Sequence, residues 1–323
     1  MRTARIVIVA AFAAFISACA SSAFQVHWSS PAGNTANHDV PALTGVKIYT
    51  VDETANAVFS FKLAATGNVA PSSKIKGSNT GISAPIGDDN DSSGQLYVLT
   101  GSSFEVFAAG VHGNIAPKYV VSGALTQLDN PQGIAVDPTG ITFVTNSTGG
   151  NSYISVYAAG SNGDRAPTAT IYDGANFFFI PAGIAQFNGT LYVADPGDQS
   201  VNEYPANGNG LVNPTAMITG LNSPRGVAVD TKGRIYVTDS NRVIVYAANA
   251  NGNATPLATI SGSATQLNGA AGLSVHGTVI VVANSSGPSI TVYPTSGNGN
   301  IAPLREITGA LTGLVNPQDI DIH

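Results

Sequence analysis

Carboxylates gather at two places far apart in this 323-residue chain: Asp88, Asp89 and Asp91 in one stretch, Asp319 and Asp321 close to the C-terminus. Clustered carboxylates must be solvated, protonated or held by a hard cation, so calcium is the ion expected if the two stretches meet in space. His276 and His323 are the pair a zinc ion would use, but no third ligand accompanies them. Nucleophilic chemistry has little footing. The sequence contains no Gly-x-Ser-x-Gly, no Walker loop, no His-Glu-x-x-His and no cysteine-rich spacing. Its only cysteine, Cys19, stands at the end of a leader-like segment.

What must position these groups is a repeat. Six segments share an aromatic residue, a glycine six residues later and a proline four after that: Phe61/Gly67/Pro71, Phe107/Gly113/Pro117, Tyr157/Gly163/Pro167, Tyr204/Gly210/Pro214, Tyr246/Gly252/Pro256 and Tyr293/Gly299/Pro303. The prolines are 46, 50, 47, 42 and 47 residues apart. Each unit holds four short β-rich runs bounded by Gly, Asn and Asp turns, clearest in Ser223–Asp230, Arg234–Asp239, Val243–Tyr246 and Pro256–Ile260. Four strands in about 45 residues are the signature of one propeller blade. The expected fold is all-β: a single six-bladed β-propeller over 46–323, built of four-stranded antiparallel blades. The first unit lacks an innermost strand and the C-terminus supplies a spare one, Pro317–Ile322, so that strand is expected to complete the first blade and close the ring.

Innermost strands converge on the axis and need small residues, which Gly133/Ala135, Gly183/Ala185 and Gly226/Ala228 provide. Asp137-Pro138-Thr139-Gly140 is a type I turn in composition, repeated at Asp91–Gly94 and Asp230–Gly233. The repeated proline is expected to begin the outermost strand, where an edge tolerates a missing donor. In this frame Asp319 and Asp321 stand where other blades have glycine and alanine, with Asp88, Asp89 and Asp91 on the strand of the next blade, which makes the seam between the first two blades the candidate calcium site. The residues after the inner proline, Ile86, Gln132, Ala182, Arg225 and Gln318, with Ala271 in the proline-less unit, form an expected ring at the tunnel mouth. Arg225, Gln132 and Gln318 are its ligand candidates, with Asp195 and Asp239 nearby at the ends of second strands; the alternative for those two aspartates is to cap the loop that follows. The four glutamates, Glu53, Glu105, Glu203 and Glu306, are expected away from this mouth.

The stretch from Ile235 through Asp239 to Tyr246 resembles the core of an NHL repeat, as does Leu191–Gly197. The resemblance extends over 46–323 and implies a six-bladed propeller of the TolB-like kind. Similar propellers include metal-dependent lactonases and an amidating lyase with acidic, amide or histidine side chains around the tunnel mouth.

Residues 1–19 carry Arg2 and Arg5, an apolar run from Ile6 to Ile16, then Ser17, Ala18 and Cys19. The run is too short to span a bilayer and reads as a signal peptide. Ile16-Ser17-Ala18-Cys19 resembles a bacterial lipobox, which implies acylation of Cys19, a lipid anchor and an exported protein of the cell envelope. Residues 20–45, rich in Ser, Ala, Asn, Pro and Gly, are expected to act as a flexible tether reaching roughly 30 Å. Loss of Arg2 and Arg5 leaves 11 basic against 19 acidic side chains, a charge of −8, which argues against a nucleic-acid partner. The leading expectation is a monomeric, non-enzymatic binding or scaffold protein holding a protein, glycan or small ligand on a propeller face. A metal-dependent propeller hydrolase or lyase and a self-associating surface component are the alternatives.

Overall fold

A computed structural model describes residues 45–148, 151–174 and 180–323. The signal segment, Cys19 and nearly all of the tether lie outside them. Within the compact unit Val40–His323 the described strands form six sheets. Taken from the axis outward, blade 1 is Pro317–Ile322, Lys47–Asp52, Ala57–Lys62 and Ser73–Ile75. Blade 2 is Gly87–Asn90, Leu96–Leu99, Ser103–Phe107 and Tyr119–Ser122. Blade 3 begins with Pro131–Val136, blade 4 with Ile184–Phe187, blade 5 with Pro224–Val229 and blade 6 with Ala270–His276. The ring closes as expected: the C-terminal strand pairs antiparallel with Lys47–Asp52, Ile322 opposite Ile48 and Ile320 opposite Thr50.

Blade 3 departs from the four-stranded rule. Gly210–Val212, from the next unit, adds to it as a fifth strand, parallel to Ala169–Asp173. This is the longest case of a contact made at every seam. Each repeated glycine bridges in parallel to the outermost strand of the preceding blade: Gly67 to Ile307, Gly113 to Ile75, Gly163 to Val121, Gly210 to Ile171, Gly252 to Ile218 and Gly299 to Ile260. All six have positive φ, from 65° at Gly252 to 88° at Gly113, a conformation that costs a residue with a Cβ. The neighbouring asparagines extend the stitch. Asn68, Asn114 and Asn300 accept hydrogen bonds from the amides of Leu311, Asn79 and Ala264 across the seam.

The repeated proline lies two residues before the outermost strand rather than within it. The residue after it, as in Lys118, Thr168 and Leu257, already donates its amide to the third strand. Thus the proline leaves its missing donor just outside the ladder. Five of the frame's six aromatic residues, Phe61, Phe107, Tyr157, Tyr204 and Tyr293, are among the largest fully buried side chains; Tyr157 and Tyr293 also donate their hydroxyls to the carbonyls of Thr126 and Thr265, in the turn that enters their own blade.

Candidate functional site

The innermost strands meet at a narrow throat. Gly183 donates its amide to the carbonyl of Arg225 at 2.8 Å, and a Cβ at Gly133, Gly183 or Gly226 would lie 2.5–2.7 Å from a backbone oxygen of the adjoining blade. Five blades place glycine here: Gly87, Gly133, Gly183, Gly226 and Gly272. Blade 1 places Asp319, whose Oδ1 would sit 2.0 Å from a Cβ on Gly272. One aspartate among five glycines therefore fills the throat and divides the tunnel into a mouth and a lower chamber.

The mouth is a cavity of about 430 Å³. Ile86, Gln132, Ala182, Arg225, Ala271 and Gln318 all line it, so the six ring positions are brought together. The backbone explains their direction. In blades 1, 3, 5 and 6 the pairing of the first strand slips between the inner proline, or Ala270 in blade 6, and the residues that follow. Gln318, Gln132, Arg225 and Ala271 fall in that slip, opposite no partner, and a bulge of this kind turns the unpaired side chain out of the ladder. Arg225 is exposed and makes no ion pair or side-chain hydrogen bond among the described residues. Gln132 donates its amide to Asn130, at 3.2 Å to the carbonyl and 3.1 Å to Oδ1.

Glu53 corrects the expectation for the glutamates. It lines the mouth, and its Oε2 accepts hydrogen bonds from Asn316 and Gln318, each at 2.9 Å. It sits in the loop after the second strand of blade 1, and in sequence nothing marks that loop as leaning over the axis. Asp195 and Asp239, by contrast, do not reach the mouth. Both are fully buried. Asp195 accepts from the amides of Ile180, Gly197 and Asp198, and Asp239 from those of Asn222 and Ser223 and from the Arg242 guanidinium at 2.5 Å. Their carboxylates are consumed in fastening the loop that enters the blade, as Asp52 does for Val315 and Asn316, and Asp195 also caps the loop that follows its strand through Gly197 and Asp198.

The lower chamber measures about 210 Å³. Asp88, Asp89, Asp319 and Asp321 line it together, so four of the five acidic candidates meet. Asp91 stands apart in the turn. Its Oδ1 accepts from Ser93 and Gln95 amides, its Oδ2 from the Gln95 side chain at 2.7 Å. Burial opposes ionisation there, but the bonds from Ser93 and Gln95 outweigh it and hold Asp91 below the usual carboxylate range. The four chamber aspartates show the reverse. Burial raises each of them, and repulsion from neighbouring aspartates adds to it at Asp88, Asp89 and Asp319, with Asp319 pushed up to about 7 and Asp88 driven well up by burial and by Asp319, Asp321 and Asp89. The fields of His276 and His323 favour the charged form of Asp321, but neither histidine lines the chamber. Among the described residues no three His, Cys, Asp or Glu side chains already converge on one point as a metal-ligand set, which leaves the zinc pair without a third partner.

Residues 221–242 match the NHL repeat family model. No curated protein matches the chain. Among solved structures, similarity extends to a nidogen/laminin complex, at 14% identity over 86% of this chain and 98% of that one with a TM-score of 0.62. A protein of unknown function from Bacteroides caccae is similar at 10% identity over the same shares, TM-score 0.61. A functionally unknown protein from Desulfotomaculum acetoxidans DSM 771 is similar at 13% identity, again over 86% and 98%, TM-score 0.57. At such identities the likeness establishes the shared fold.

Proposed function

We propose that this propeller is a non-enzymatic binding module whose axial mouth holds the anionic or polar group of a small molecule, or of a glycan or protein partner. The observation that carries the reading is the convergence of Arg225, Gln132 and Gln318 on one cavity, with the guanidinium free of any partner among the described residues. A planar guanidinium beside two amides suits a carboxylate or a sugar acid, since it can bond both oxygens at once. Among the described residues that line the mouth, Glu53 is held by Asn316 and Gln318, and no nucleophile stands beside it. The leader-like segment ending at Cys19 supports presentation from a lipid anchor on the cell envelope, which labelling of cells with a radioactive palmitate precursor would test; a freely released, unlabelled product would contradict the anchor.

A thermal-shift screen of the protein against carboxylated sugars, acidic oligosaccharides and small dicarboxylates tests the mouth. A hit is expected to lose at least about tenfold in affinity in Arg225→Ala, the loss of one charge-assisted hydrogen bond. Hits that bind Arg225→Ala as well as the parent protein would refute the reading.

A further inference from the structure

The lower chamber presents a charge problem that the mouth reading leaves untouched. Three carboxylates, Asp89, Asp319 and Asp321, stand on its wall, and no lysine or arginine lines it. Asp89 and Asp319 are partly satisfied by backbone amides, at 2.6 Å from Val136 and 2.9 Å from Ile320, and Asp321 by the Ser274 hydroxyl at 3.2 Å. Asp88 adds a separate observation. It is 4% exposed, lines the same chamber, and neither of its carboxyl oxygens makes a hydrogen bond. Its place in the inner strand is held by Ile134, Ile184, Val227, Leu273 and Ile320 in the other five blades. An apolar interblade position has thus been exchanged for an acid that shares the chamber with three others. A buried carboxylate without a partner destabilises the fold unless something neutralises it.

We propose that the lower chamber binds a hard divalent cation, calcium or magnesium, through Asp88 and Asp319 with Asp89 and Asp321 around it, tying the C-terminal strand of blade 1 to blade 2. The donors are all oxygens, which selects against zinc and copper. Because no three acidic groups meet at one point among the described residues, the ion keeps part of its water, for which the chamber has room. The position explains its purpose. Blade 1 is the blade assembled from both ends of the propeller sequence, and the ion bridges that closing strand to the neighbouring blade.

The test uses the full chain, stripped with EDTA and dialysed, then melted at pH 7.5 in CaCl₂, in MgCl₂ and in NaCl of matched ionic strength. One divalent ion at saturating concentration is expected to raise Tm by about 5 °C or more over NaCl, with one site by calorimetry. Asp88→Asn/Asp319→Asn should lose that rise. Asp88→Ile, which restores the residue type of the other blades, guards against a variant that fails to fold, and it should melt at a Tm indifferent to either ion. Arg225→Ala should retain the full rise, which separates this site from the mouth. Equal melting in all three salts, a rise that survives in Asp88→Ile, or calorimetry without a binding isotherm would overturn the proposal.

Discussion

Blades 2 and 5 are built on the same frame, and they bury opposite chemistry. In the inner strand Asp88 and Asp89 stand where blade 5 has Val227 and Ala228, and in the third strand Glu105 stands where blade 5 has Ile244. Blade 5 carries no buried side-chain polar atom without a hydrogen bond among the described residues, and its buried acids are paired: Asp230 with Arg234 at 2.7 Å, Asp239 with Arg242. Blade 2 leaves both oxygens of Asp88, Oδ1 of Asn90 and Oε2 of Glu105 unbonded. The repeat tolerates this because its main closures, the turn aspartate and the rim glycine bridge, do not involve the exchanged positions. A repeated fold can therefore carry charge in one blade while the rim glycine bridge recurs at all six seams.

The largest expected difference lies at the throat. Gly226→Ala would drive a Cβ to 2.7 Å from the Ala271 carbonyl and should cost about 3 kcal/mol by urea denaturation. Gly87→Ala meets the γ2 methyl of Ile134 at 3.2 Å and Oδ2 of Asp319 at 3.4 Å, with no backbone atom nearer than 3.5 Å, and should cost under about 1 kcal/mol. Equal costs would mean the two blades approach the axis alike.

Next in size is Glu105. Burial pushes its carboxyl up to about 7, with Ser103 offsetting part of the shift. A group raised in the folded state binds protons more tightly there, so its contribution is intact below the unfolded value near 4.5 and is lost as pH rises to and through about 7. Glu105→Gln should therefore gain about 2 kcal/mol over the parent at pH 8 and nothing at pH 4. A gain independent of pH would assign the effect to packing. The rim supplies the control: Gly113→Ala in blade 2 and Gly252→Ala in blade 5 have open space but positive φ, so each should cost about 1 kcal/mol and by the same amount. The smallest change is Arg225→Ala, which should leave stability within about 0.5 kcal/mol.

The blade count, the closing strand and the six mouth positions were legible in the sequence because each follows from residue type at a fixed repeat offset. Their aim into the cavity was not, since a bulge is a slip in pairing between two strands and neither strand shows it alone. The rim role of the repeated glycine was hidden for a similar reason: its partner belongs to the preceding blade, so the glycine reads as a turn residue. Asp91 was grouped with Asp88 and Asp89 by proximity, yet strand alternation and the turn direct it to Ser93 and Gln95. Asp195 and Asp239 looked available because they end strands facing the mouth; the amides of the incoming loops occupy them.

Titration of the tightest acidic ligand from the screen into the parent protein and into Arg225→Ala, by calorimetry at one salt concentration, bears most directly on the mouth as the binding site. One site in the parent and at least about tenfold weaker binding in the variant are expected. Unchanged affinity in Arg225→Ala would contradict the account.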